Sequence, residues 1–124
     1  MRTGSCLCGG VSFRLHGEMR HVVNCFCTQC RKTSGHYVAA SRIARTGLEM
    51  IADETLVWFQ SSEKAKRGVC RTCGSSLFWD PVEEDSIGIM AGTIDQPVGL
   101  ETGENILVED KSDYHALPQL TVQR

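Results

Sequence analysis

Apolar residues along this chain recur every second position or in short runs, and almost never at helical spacing. Val11-Ser12-Phe13-Arg14-Leu15 alternates apolar with polar, the period of a half-buried strand. Gly17 ends it, and residues 20–24 predict a second strand. Tyr37-Val38-Ala39-Ala40-Ser41 predicts a third. Leu48-Glu49-Met50-Ile51 and Leu56-Val57-Trp58-Phe59 predict two more, separated by Asp53-Glu54. Residues 64–69 lead into a cysteine pair. Leu77-Phe78-Trp79 predicts a short strand stopped by Asp80-Pro81, and residues 86–91 alternate small with large side chains, as a buried strand can. Ile106-Leu107-Val108 predicts the last strand. One helical turn is expected at residues 31–35, closed by Gly35. Residues 93–105 look turn-rich, with Pro97, Gly99 and Gly103, and the tail from residue 110 is polar around Leu117-Pro118. Many short strands and no long helical period predict a mainly β fold of short antiparallel strands.

The 124 residues suffice for one domain with a real core, so residues 1–124 are read as a single unit. The hydrophobic fraction of 41% and charged fraction of 23% are those of a soluble globular protein. No run of eighteen apolar residues predicts a membrane span, and the first residues carry no apolar stretch of signal-peptide type, so a cytoplasmic location is expected. Seven cysteines fall in tight groups, which in a reducing compartment points to metal binding rather than disulfides. Cysteines spaced CxC are also poorly placed to bridge to one another.

Charge is unevenly spread. Residues 1–72 hold 11 Lys+Arg against 5 Asp+Glu, and residues 73–124 hold 2 against 10. The basic part carries most of the cysteines. Arg31, Lys32, Lys66, Arg67 and Arg71 can offset thiolate charge, or some of them can receive an anionic small molecule. The basic half has no basic run interleaved with aromatics, which argues against a nucleic-acid partner.

The central stretch is Cys25-Phe26-Cys27-Thr28-Gln29-Cys30. On an extended segment Cys25 and Cys27 point the same way, and the CxxC spacing from Cys27 to Cys30 is a chelating turn. Two further knuckles, Cys6-Leu7-Cys8-Gly9 and Cys70-Arg71-Thr72-Cys73-Gly74, each end in Cys-Gly, which the trio does not. Glycine there accepts the positive φ that lets backbone N–H groups turn toward a thiolate. The seven cysteines thus divide into a four-cysteine zinc site, Cys6, Cys8, Cys70 and Cys73, and a trio, Cys25, Cys27 and Cys30. The trio is either a second structural site, with His36, His21 or His115 as distant fourth ligand, or an open site in which a substrate thiol can take the fourth position.

The same residues resemble a known family. Gly4-Ser5-Cys6-Leu7-Cys8-Gly9-Gly10-Val11, then Cys25-x-Cys27-x-x-Cys30-Arg31-Lys32, then Cys70-x-x-Cys73-Gly74-Ser75-x-Leu77 is similar to the glutathione-dependent formaldehyde-activating enzymes, a family that also includes centromere protein V. The resemblance runs down to Leu117-Pro118. It implies a zinc-stapled β-tent fold, a structural zinc on Cys6, Cys8, Cys70 and Cys73, and a second zinc on the catalytic trio Cys25, Cys27 and Cys30. It implies a carbon–sulfur lyase acting on an adduct of glutathione or another small thiol with an aldehyde, of the S-hydroxymethylglutathione kind. Phe26 stands where such motifs often carry a small residue or a histidine, and it is expected to alter the wall of the site.

On this reading a zinc-bound thiolate attacks a carbonyl carbon, and the reverse reaction cleaves the C–S bond. Arg31 or Lys32 is the candidate for orienting a substrate carboxylate, and His36 for moving a proton. The competing reading is a non-catalytic, zinc-stabilised binding module that meets a protein partner through its acidic second half. The oligomeric state stays open.

Overall fold

A computed structural model describes residues 1–121. Ten strands and one α-helix make up its regular structure. The strands are β1 (Arg2–Ser5), β2 (Ser12–Leu15), β3 (Val22–Cys25), β4 (Val38–Ala44), β5 (Leu48–Ala52), β6 (Leu56–Gln60), β7 (Ala65–Cys70), β8 (Ser76–Pro81), β9 (Ser86–Met90) and β10 (Thr102–Ile106). The helix α1 (Thr28–Ser34) lies between β3 and β4. Short 3-10 turns follow β4, β9 and β10. The mainly β fold expected from the alternating pattern is thus the fold the chain adopts.

The strands form two sheets. A three-stranded sheet runs β1-β2-β5, and a seven-stranded sheet runs β10-β3-β4-β9-β8-β7-β6. Pairing is antiparallel throughout except between β10 and β3, which run parallel. Phe13 and Leu15 of the small sheet pack with Ile43, Leu77, Phe78, Ile87 and Ile89 of the large one. Phe13 and Phe78 meet edge to face at 5.2 Å. This core lies on one face of the large sheet.

The other face is different. Because side chains alternate along a strand, the partners of the core residues point away from the small sheet. Register places Cys25 beside Val38, Val23 beside Ala40 and Met90, and Arg42 beside Gly88, Trp79 and Arg67. That row-by-row surface is where the cavity described below is found.

Four elements differ from the sequence reading. β1 and β10 were not expected, and the expected strand at residues 106–108 is a strand only at Ile106. Leu107 turns left-handed at φ 53° and Val108–Asp110 is a 3-10 turn. Asp80-Pro81 does not stop β8 but closes it. The polar tail is anchored: Asn105 Nδ2 donates to the Pro118 carbonyl at 3.1 Å, and Thr121 exchanges hydrogen bonds with the Thr102 backbone. No helix is long and apolar enough to cross a membrane among the described residues.

Candidate metal centres and the cavity beside them

The two cysteine groups proposed from spacing are both assembled. The sulfurs of Cys6, Cys8, Cys70 and Cys73 lie within 4.8 Å of one another, and so do those of Cys25, Cys27 and Cys30. In the first group Cys6 Sγ and Cys8 Sγ are 3.6 Å apart, and Cys8 Sγ and Cys70 Sγ 3.7 Å. Disulfide sulfurs would sit at about 2.05 Å. Four thiolates around zinc at about 2.3 Å place their sulfurs about 3.8 Å apart, so the spacing fits that ion. All seven cysteines are free.

Local backbone explains the first cluster. Gly9 (φ 81°) and Gly74 (φ 78°) adopt the left-handed conformation that a side chain resists. The turns close through Gly9 N–H to the Cys6 carbonyl at 3.2 Å and Gly74 N–H to the Cys70 carbonyl at 2.8 Å. Val11 N–H donates to Cys6 Sγ at 3.3 Å, and the Thr55 hydroxyl lies 3.2 Å from Cys70 Sγ. The sulfurs share protons unequally. The Ser75 hydroxyl, ahead of backbone N–H groups, draws Cys73 down to about 5. Thr55 lowers Cys70 likewise. A Gly10 backbone hydrogen bond lowers Cys8, yet the sulfurs of Cys6 and Cys70 outweigh it and push Cys8 up to about 11. Four adjacent thiols cannot all ionise alone, and a cation among them would replace the missing protons.

The trio is built on the junction of β3 and α1. Cys25 ends β3, and Cys27 is the N-cap of α1 in extended conformation, its sulfur accepting from Cys30 N–H at 3.2 Å. Cys30 lies in the helix, a residue earlier than the expected helical turn begins. Gly35 closes the helix as expected. The hydrogen bond to Cys30 lowers the Cys25 thiol below its usual range. The same bond, with burial next, pushes Cys30 up.

A cavity of about 340 Å³ opens beside the trio. Cys25, Cys27 and Cys30 line it together with Val23, Val38, Ala40, Met90, Trp79, Ile106 and Leu107, and with Arg20, Arg42, Arg67 and Gln29. Its floor includes Gly88, where an added Cβ would stand 3.3 Å from Trp79. Arg67 is only 3% exposed. Its Nη2 donates to Cys30 Sγ at 3.6 Å, and Nε and Nη2 both donate to Gln29 Oε1 at 3.2 and 2.9 Å.

Several expected participants lie elsewhere. Phe26 is fully buried on the side away from the cavity, its ring 4.9 Å from Tyr37 and 6.0 Å from His115, because alternation turns it opposite to Cys25 and Cys27. It does not form the wall of the site. Arg31, Lys32 and His36 do not line the cavity either. Arg31 points its Nη1 toward Ser112 at 3.5 Å, and His36 is hydrogen-bonded to Tyr114. None of His21, His36 and His115 joins the trio's ligand atoms: His21 meets Glu104 at 3.0 Å, and His115 Nδ1 meets the Ala116 carbonyl at 2.7 Å. Among the described residues the trio therefore offers three candidate ligand side chains, and all three line the cavity.

Comparison with known proteins gives the family. Residues 1–110 match the family described as glutathione-dependent formaldehyde-activating enzyme. The chain belongs to that family. A Halomonas elongata protein named "Putative glutathione-dependent formaldehyde-activating enzyme" is 28% identical over 121 residues, covering 90% of this chain and 77% of the relative. A crystal structure of a Rhodobacter sphaeroides protein shares the fold with a TM-score of 0.60 at 24% identity, covering 76% of this chain and 88% of that one. The family's name describes glutathione-dependent handling of formaldehyde, a reaction between a small thiol and an aldehyde. An all-sulfur trio lining a pocket suits such a pair.

Proposed function

We propose that this protein is a zinc-dependent carbon–sulfur lyase for the hydroxymethyl adduct of glutathione or a similar small thiol. The observation that carries this reading is the three-sulfur cluster lining the cavity, with a buried cation, Arg67, against one sulfur. Cys6, Cys8, Cys70 and Cys73 would hold a structural zinc. Cys25, Cys27 and Cys30 would hold a second one. Bound there, zinc would act as a Lewis acid that favours the thiolate form of a substrate thiol.

The chain's own groups account for the rest. Three thiolates and a divalent cation carry a net charge of −1, and the Arg67 guanidinium neutralises it without a carboxylate. Gln29 holds Arg67 by its carbonyl oxygen and donates its own Nε2 to the Ser61 carbonyl at 2.6 Å, which fixes the fork. Val23, Val38, Ala40 and Met90 give the cavity a mainly apolar wall beside the sulfurs. In the cleaving direction the adduct O–H loses its proton, the C–S bond breaks, formaldehyde leaves, and the thiol sulfur receives the proton. Combination is the reverse.

The test is metal analysis of purified protein followed by calorimetry with small thiols and their formaldehyde adducts. Two zincs per chain, thiol binding, and release of formaldehyde from the adduct faster than in buffer are expected. Protein loaded with two zincs that binds no thiol would overturn the lyase reading and leave a binding module in its place.

A further inference from the structure

The cavity has a second end. Across it from the trio, Arg20 and Arg42 line the same space. Arg42 comes from β4, four residues beyond Val38, the register partner of Cys25. At about 3.3 Å per residue this separates the two ends by about 13 Å of strand.

The two guanidinium groups are held in place by the protein, and no carboxylate lines the cavity between them. Arg20 Nε and Nη2 donate to the carbonyls of His21 and Ala40 at 3.3 and 3.1 Å, and among the described residues no carboxylate forms an ion pair with it. Arg42 lies 5.4 Å from the Trp79 ring centroid, and its Nη2 meets Glu84 Oε1 at 2.9 Å. Burial first, and the charge of Arg42 next, hold Arg20 below the usual arginine range, against the smaller opposing pull of Glu104. Glu84 meets Arg42 from outside the cavity lining, so the two half-buried cations side by side still favour an anion within the cavity. The lining holds no acidic side chain.

We propose that Arg20 and Arg42 seat a carboxylate of the thiol substrate, so that the site selects thiols with an acid group several bonds from the sulfur. This rests on the reading of the trio as the thiol-binding end. Val23, Ala40 and Met90 lie between the two ends and take the uncharged middle of the ligand. A neutral thiol gains nothing from the seat. An aminothiol is repelled by it, since no carboxylate in the lining can take its ammonium group.

The experiment is calorimetry on zinc-loaded protein with four probes: glutathione, its diethyl ester, 2-mercaptoethanol and S-methylglutathione. Wild type is expected to bind glutathione at least tenfold more tightly than the diester. Arg20→Gln and Arg42→Gln should each weaken glutathione by about tenfold or more, while 2-mercaptoethanol, which reads the trio alone, is unchanged. Glu84→Gln alters an exposed side chain that competes for Arg42, and it should tighten glutathione. The seat is overturned if the diester binds as well as glutathione, or if Arg20→Gln and Arg42→Gln bind glutathione as wild type does. Should the arginine variants also lose 2-mercaptoethanol, Glu84→Gln decides, and unchanged glutathione affinity there overturns the seat. S-methylglutathione separates the two proposals. If it binds with arginine dependence while free thiols gain nothing from the metal, the seat stands and the lyase reading falls. If free thiols bind at the metal without arginine dependence, the seat falls alone.

Discussion

Arg67 donates from Nη2 to Cys30 Sγ across 3.6 Å, and among the described residues it pairs with no carboxylate. A cation 3% exposed that relies on a sulfur and an amide oxygen makes sense when the sulfur is ionised and its cluster negative. Arg67→Met keeps the apolar stem and removes the charge. A hydrogen bond to a charged partner contributes about 1.5–3 kcal/mol. The trio's metal affinity should therefore fall about tenfold to a hundredfold, with the four-sulfur site still filled. Competition with a chromophoric chelator measures both sites, and unchanged affinity would show that Arg67 serves another purpose.

Cys27 has two roles that one substitution separates. Its sulfur is both a proposed ligand and the acceptor capping α1. Serine is among the best N-caps, whereas alanine costs about 1 kcal/mol at such a position. Cys27→Ser should keep the melting temperature close to wild type in the absence of the second metal, and lose one zinc and thiol binding. Cys27→Ala should lose the same metal and melt lower. Equal zinc content in wild type and Cys27→Ser would remove Cys27 from the ligand set.

The four-sulfur site joins the two sheets. Cys6 and Cys8 follow β1 of the small sheet, whereas Cys70 ends β7 of the large one and Cys73 lies in the turn before β8. Binding energy at such a site is folding energy, about 10 kcal/mol or more in small zinc domains. Cys73→Ser should give insoluble or unfolded chain, and strong chelation should unfold wild type, while mild chelation removes the trio's metal first. Circular dichroism during a stepwise chelator titration checks the order. Loss of both metals in one step together with the fold would make the trio structural.

Cys25 and Cys30 share a proton unequally when the trio is metal-free. The hydrogen bond from Cys30 lowers Cys25 and raises Cys30. Since the thiolate is the reactive form, Cys25 should reach half its maximal alkylation rate at a lower pH than an ordinary thiol. Cys30 should resist alkylation until a much higher pH. Cys30→Ala removes the donor and should move the Cys25 midpoint upward. Mass spectrometry of iodoacetamide adducts across pH, after mild chelation, reads each cysteine separately. A midpoint for Cys25 above that of free cysteine would reverse the assignment.

Both cysteine clusters were legible in the sequence because spacing alone brings their sulfurs together. CxC and CxxC are local geometry, and the Cys-Gly ending marks the knuckles. Strands with one face on the core were legible for the same reason, since burial imposes alternation on Phe13 and Leu15 or on Ile87 and Ile89. β1 and β10 were not. Arg2-Thr3-Gly4-Ser5 and Thr102-Gly103-Glu104-Asn105-Ile106 have little apolar content, and their strand character comes from pairing with β2 and β3. Asn24 donating to Asn105 at 3.0 Å is part of that pairing. Pro81 could end a strand without harm because its missing N–H is not needed there. Arg20, Arg42 and Trp79 escaped notice because lateral register between strands far apart in sequence assembles them, and no single stretch announces it. Phe26 was placed on the wrong side, although the alternation that aligned Cys25 with Cys27 already directed it away.

The large sheet presents its core to one side and its cavity to the other, and strict alternation keeps the two residue sets separate. Ile43, Ile87 and Ile89 hold the fold, while Val38, Ala40, Arg42, Gly88 and Met90, interleaved with them on the same strands, shape the pocket. Substrate preference can therefore drift, or be engineered, by exchanging the second set with little penalty to the first. A library restricted to apolar residues of similar size at positions 38, 40 and 90, with Gly88 kept because a Cβ there would crowd Trp79, should yield mostly folded protein with altered thiol selectivity. Inserting or deleting one residue in β4 would exchange the two sets and destroy both at once.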